Sequence, residues 1–142
     1  MFDAIAGVVR DMVRQSGKKA IVLFTDGKDN ASALTMGAAM DAARKAGVPI
    51  YAVAQGEALG TPSLRAELER ISRSTGGLFY ATKDPDEMAA AFRGIAGDMK
   101  HNYLLAYRPS AGGPARWRSI RVLLPSTPDG YKIRAREGYF AE

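Results

Sequence analysis

The residues best placed to do chemistry lie in Ala20-Ile21-Val22-Leu23-Phe24-Thr25-Asp26-Gly27-Lys28-Asp29-Asn30. Five apolar residues in a row, with no polar alternation, predict a strand buried on both faces of a parallel sheet. Its abrupt end at Thr25-Asp26-Gly27 puts a carboxylate at the carboxyl end of that strand, where open α/β sheets bind ligands. Thr25, Gly27, Asp29 and Asn30 are the binding candidates around it. The competing reading of Asp26 is a carboxylate that caps a turn. For Asp29 and Asn30 it is that one of them caps a helix starting near Ala31.

Catalytic readings of the same aspartate find little support. A phosphoacceptor needs an acidic pair beside it and a lysine on a later strand end, and Lys83 has no acidic companions of that kind. His101 is the only histidine, far along the chain, and no Gly-x-Ser-x-Gly elbow exists to pair with it. Its position suits the last turn of a helix, where a cation meets the negative end of the dipole. No cysteine is present, which excludes thiol nucleophiles, thiolate metal sites and disulfides. No P-loop or Gly-x-Gly-x-x-Gly follows a strand.

The elements that must position Asp26 alternate regularly. Apolar residues at Ile5, Val8, Val9, Met12 and Val13 form one helical stripe over about 3–15. The strand 20–25 follows, then a helix over about 31–46 ended by Gly47, and a strand over 49–54. Leu64, Leu68 and Ile71 mark a helix over about 63–74, which Gly76-Gly77 breaks before a short strand at 78–80. Asp84 as N-cap and Pro85 at the first position open a helix that runs to His101. Alternating strands and helices predict right-handed crossovers and a parallel sheet. Beyond His101 the pattern changes to three strands without helices, at 103–108, 117–124 and 131–136. These predict a small antiparallel β appendage, so the chain divides into an α/β body, 1–101, and an appendage, 102–142.

The 142 residues suffice for one domain with a true core. Residues 1–100 carry 13 Lys and Arg against 12 Asp and Glu, whereas residues 101–142 carry seven against three. A basic, aromatic-bearing tail (Arg116, Arg118, Arg121, Lys132, Arg134 and Arg136 beside Trp117, Tyr131 and Tyr139) is one route to single-stranded nucleic acid. The favoured reading is a solvated strand face, whose aromatics tie the appendage to the body. No apolar run approaches the ~20 residues of a membrane span. The opening residues lack a basic region followed by an apolar stretch, so no signal peptide is read there.

Three motifs in order point to a family. Ile21-Val22-Leu23-Phe24-Thr25-Asp26-Gly27, then Gly47-Val48-Pro49-Ile50-Tyr51-Ala52-Val53, then Ser74-Thr75-Gly76-Gly77-Leu78-Phe79-Tyr80 resemble the second half of a von Willebrand factor type A domain. The tail (Asn102 to Pro109, Arg118 to Val122 and Arg134 to Phe140) resembles the C-terminal segment of bacterial members. The resemblance implies a partial doubly wound, Rossmann-like parallel sheet and non-catalytic protein or ligand binding, outside the cytoplasm in most relatives. It also implies a metal-ion-dependent adhesion site holding Mg²⁺ or a similar cation. The family builds that site from an Asp-x-Ser-x-Ser loop, a threonine and a later aspartate, and only the last has a counterpart here, Asp26.

The opening residues resemble those just downstream of the site threonine, so the strands carrying most of the site are expected upstream of Met1. Mg²⁺ needs several preorganised oxygens, and one aspartate supplies too few. The expected site is therefore incomplete. With no neighbour on one side, strand 20–25 is an exposed apolar edge, a template for self-association or for a partner segment.

Overall fold

The computed structural model describes residues 1–103, 105–108, 117–126 and 133–140. Its α/β body comprises α1 (Phe2–Val13), β1 (Ile21–Thr25), α2 (Met36–Ala46), β2 (Ile50–Ala54), α3 (Glu57–Gly60), α4 (Pro62–Thr75), β3 (Phe79–Ala81) and α5 (Pro85–His101). β4 (Trp117–Ser119) and β5 (Gly138–Phe140) complete the element order. The three body strands form a parallel sheet in the order β1-β2-β3, with Ile21 level with Ile50 and Ala52 level with Phe79. β4 and β5 pair antiparallel, Trp117 opposite Phe140.

The helices cover the two faces of the sheet unequally. Side chains alternate across a strand, so Ile21 and Leu23 share a face with Ile50, Ala52 and Ala54. That face is packed by Ile5 and Val9 of α1, Ala39, Met40 and Ala43 of α2, and Leu64, Leu68 and Ile71 of α4. Among the described residues, the opposite face, with Tyr51 and Val53, receives α5 alone of the helices, through Ile95 and Met99. β2 is consequently enclosed throughout, all five residues fully buried. β1 is not. Val22 and Phe24, on the α5 face, are 39% and 42% exposed. The strand expected to be buried on both faces is thus buried on one, because α5 lies over β2 and does not reach across it.

Several boundaries differ from expectation for local reasons. The second helix starts at Met36, not near Ala31, because Thr35 caps it by accepting from the Ala38 N–H at 3.2 Å. α3, four residues long, is too short to show a helical stripe in the sequence; Ala58 anchors it, fully buried, its N–H donating to the Asp26 carbonyl at 3.0 Å. Asp84 caps α5 as expected, accepting from Glu87 N–H at 2.8 Å, and the Glu87 carboxylate accepts in turn from Lys83 N–H at 2.7 Å. His101 ends α5, with its Nδ1 2.7 Å from the Gly97 carbonyl.

The appendage departs furthest. Residues 103 and 105–108 form no strand, and Tyr103 and Leu105 are 91% and 72% exposed, without a paired strand among the described residues. The strand expected over 117–124 is confined to β4. Residues 133–136 are not a strand either; pairing begins at Glu137, whose carbonyl accepts from Ile120 N–H at 2.9 Å, and continues through β5, while Tyr131 and Lys132 lie outside the described residues. Arg134 is instead drawn to Asp98 on α5, which also accepts from the Tyr51 hydroxyl at 2.6 Å. Burial, then this bond, push the Tyr51 phenol up to about 12. Trp117 lies under the Arg44 guanidinium, 3.5 Å from ring centre to Cζ.

The turn Thr75-Gly76-Gly77 joins α4 to the sheet. Gly76 takes the left-handed conformation at the helix end, and Thr75 Oγ1 accepts from Ile50 N–H at 3.0 Å. A Cβ on Gly77 would collide with the Ile50 carbonyl. Gly77→Ala is therefore expected to destabilise the fold by roughly 3 kcal/mol or more. Gly60→Ala, where a Cβ meets open space, should change stability by less than about 1 kcal/mol. Urea denaturation followed by circular dichroism measures both, and equal midpoints would refute the close approach.

Candidate functional site

The carboxyl ends of β1 and β2 meet at the turn that carries Asp26. The Gln55 N–H donates to the Thr25 carbonyl at 3.1 Å, which extends the β1–β2 pairing to the strand end. Thr25 Oγ1 donates to the Gly27 carbonyl at 3.0 Å and tightens the turn. Gly56, at φ +59, lets the chain after β2 pass close by, and a Cβ there would lie 3.6 Å from Asp26 Cβ. These contacts fix the Asp26 backbone. Its side chain is exposed, and the carboxylate has no hydrogen bond or ion pair among the described residues. Glu57, at the start of α3, brings a second carboxylate to the same turn; its Oε2 lies 4.0 Å from where a Gly27 Cβ would be.

Asp29 has the opposite fate. Its Oδ1 accepts from Ala31 N–H at 3.1 Å and Ser32 N–H at 2.9 Å, and its Oδ2 accepts from Phe2 N–H at 2.8 Å. The Met1 ammonium lies 3.0 Å from the same Oδ2, and the Asp29 side chain is 4% exposed. Asp29 thus caps a turn and the start of α1, not the helix after it. Asp3 complements it from α1, accepting from Ala33 and Leu34 N–H, both at 2.9 Å. Asp3 went unnoticed in the sequence; an acidic residue in a helix's first turn was its only signal. Asn30 is exposed, with no side-chain bond among the described residues.

The predicted site residues therefore separate. Thr25, Asp26 and Gly27 share the strand-end turn, whereas Asp29 belongs to the staple between the 26–35 loop and α1. Among the described residues no group of three or more His, Cys, Asp or Glu side chains assembles for a metal. Mg²⁺ keeps octahedral geometry with several fixed oxygens. Asp26 is free to ligate and Glu57 is nearby, but Asp29's oxygens are occupied by N–H donors. These residues do not fit a resident cation. His101 ends α5 at the opposite, amino-terminal end of the sheet, so the strand-end turn has no base of that kind.

Hydrogen bonds to Ser32 and Phe2 hold the Asp29 carboxyl far below the ordinary carboxylate range, and those to Ala33 and Leu34 lower Asp3. A carboxyl depressed in the fold adds stability that is fully present above its unfolded value, about 3.9. That stability is lost as the pH falls from there toward the folded-state value. Asp29→Asn should melt lower than wild type at neutral pH, with the gap closing as the pH drops below about 4. Thermal melts across pH check this; curves that stay parallel would remove Asp29 from the staple.

Residues 1–93 match the von Willebrand factor type A domain. Calcium-activated chloride channel regulator 1 of Equus caballus is 32% identical over 127 residues, an alignment covering 84% of this chain and 13% of that protein. The chain thus spans about an eighth of the length of that curated relative. No solved structure matches. Strand-end aspartate, parallel sheet and family match agree: the chain belongs to the von Willebrand factor type A domain family.

Proposed function

We propose that this chain is a non-catalytic binding module that engages a protein partner through the strand-end face around Asp26, with a metal site that is incomplete within the chain itself. The observation that carries this reading is the exposed Asp26 carboxylate, unpaired among the described residues on a backbone fixed by Ala58 and Gly56. Thr25, Gly27 and Asn30 line the same loop and are the accompanying contacts, whereas Asp29 acts by shaping it. Residues 1–101 serve as the binding body and 102–142 as the appendage braced on it. An extracytoplasmic location is favoured by the family's habits. Among the described residues no helix is long and apolar enough to cross a membrane.

A second contact follows from the flank of the sheet. Ile21 N–H donates to the Pro49 carbonyl and the Thr25 carbonyl accepts from Gln55. Backbone groups alternate in direction along a strand, so those of Val22 and Phe24 point to the open edge. Both side chains are exposed as well. An unpaired, apolar edge is a template for another strand, and we assign it to self-association.

Calorimetric titration with Mg²⁺ or Mn²⁺ tests the first part. No saturable binding tighter than ~1 mM is expected, for wild type or for Asp26→Ala. A tight, stoichiometric isotherm that Asp26→Ala abolishes would show a complete site instead. Sedimentation tests the second: a concentration-dependent rise in mass is expected, reduced by Phe24→Lys. A strict monomer at high concentration, without excess hydrophobic-dye binding, would defeat it.

A further inference from the structure

The end of the sheet opposite Asp26 carries a feature that the strand-end reading does not use. α2 and α4 both run from the carboxyl end of the sheet to its amino end, where they finish at Gly47 and Gly76. Residues 133–137 cross there, with the Arg136 backbone 3.4 Å from where a Gly76 Cβ would be. A groove of about 520 Å³ lies between this segment and α4, and a second, of about 480 Å³, between α2 and α4 with Glu137 at its edge. Both are lined by Glu69, Arg73 and Glu137, so they adjoin and form a channel along the α4 surface.

The channel is rich in arginine, and part of that charge is uncommitted. Arg65 pairs with Glu69 at 2.9 Å, and Arg134 with Asp98. Arg44 sits at the far end, its plane fixed by the Trp117 ring, with Asp41 3.4 Å away. Arg70 and Arg73 are exposed and have no ion pair or hydrogen bond among the described residues. They are three residues apart on α4, which places both guanidinium groups along one side of the helix. Phe79 and Ile133 add apolar surface at the other end.

We infer that this channel is a docking groove for an extended acidic peptide segment of a partner protein, with Arg70 and Arg73 as its carboxylate receptors. Arg65 to Arg73 spans about 12 Å of helix, room for about four extended residues. The shape therefore fits a strand of peptide better than a single small anion. The two groove carboxylates, Glu69 and Glu137, distinguish a peptide from a nucleic acid. A phosphate backbone would bring continuous negative charge past both, whereas a peptide offers N–H donors between its own carboxylates. Guanidinium forks match carboxylates in geometry. The surface lies at the opposite end of the sheet from Asp26, so it works independently of the strand-end face.

Fluorescence anisotropy with a labelled peptide of alternating Glu and Gly tests the proposal on the full chain. Saturable, salt-sensitive binding is expected, weakened about tenfold or more in Arg70→Gln/Arg73→Gln. It should be unchanged in Asp26→Ala and in Arg93→Gln, which removes an exposed arginine from α5 and controls for bulk charge. Circular dichroism checks that each variant folds. Absence of binding, or equal weakening by Arg93→Gln, would overturn the inference. So would displacement of the peptide by inorganic phosphate or by a short single-stranded oligonucleotide at concentrations where unlabelled peptide fails to compete.

Discussion

The enclosure of β2 is the constraint on which the other elements depend. Ile50 to Ala54 is fully buried on both faces and paired on both edges, with β1 and β3 alongside and α4 and α5 packed on its two faces. Alanine at 52 and 54 lets α4 approach closely, and the absent side chain of Gly77 lets the turn after α4 touch the Ile50 backbone. Tyr51 turns the same strand toward α5, where its hydroxyl meets Asp98 and, through it, Arg134. A phenol and an arginine sharing one carboxylate connect the central strand to the C-terminal segment. A buried polar group needs such a partner, and here one carboxylate satisfies two.

The same arrangement determines what is left open. Among the described residues α1 to α4 crowd one face and α5 alone serves the other, so the flank of β1 is uncovered beyond α5. The strand ends form a second opening. There two aspartates three residues apart divide the work: Asp29 is consumed by four neighbours and builds the loop, while Asp26 is presented on it. The loop's rigidity and the carboxylate's freedom therefore share one origin. A surface of this kind can offer a charge to a partner without holding a cation by itself.

The alternation of strand and helix through His101 was legible because apolar periodicity and glycine punctuation are local signals. The Asp84 cap and the Gly47 and Gly76 stops are likewise written in adjacent residues. What could not be read is set by distant partners. The apolar run 21–24 looks buried on both faces, yet whether its second face is covered depends on how far α5 reaches. Asp29 precedes a helix and has the right chemistry to cap it, but its Oδ1 closes a turn with Ala31 and Ser32 and its Oδ2 is claimed by the start of α1, 27 residues earlier. Tyr103, Leu105 and Tyr107 have strand-forming character yet form no strand; the Tyr107 ring instead meets the Tyr139 ring of β5 edge-on. Arg134 fits an alternating strand pattern and is bound instead by Asp98, 36 residues away.

Hydrogen exchange measured residue by residue tests the account most directly, because it reads which strand edges are closed. At a dilution where the chain is monomeric, the Leu23 and β2 amides should exchange slowest, and the Val22 and Phe24 amides about a hundredfold faster or more. Uniform protection along β1, with Val22 and Phe24 as slow as Leu23, would mean that the edge is covered and would contradict the open flank on which this description rests.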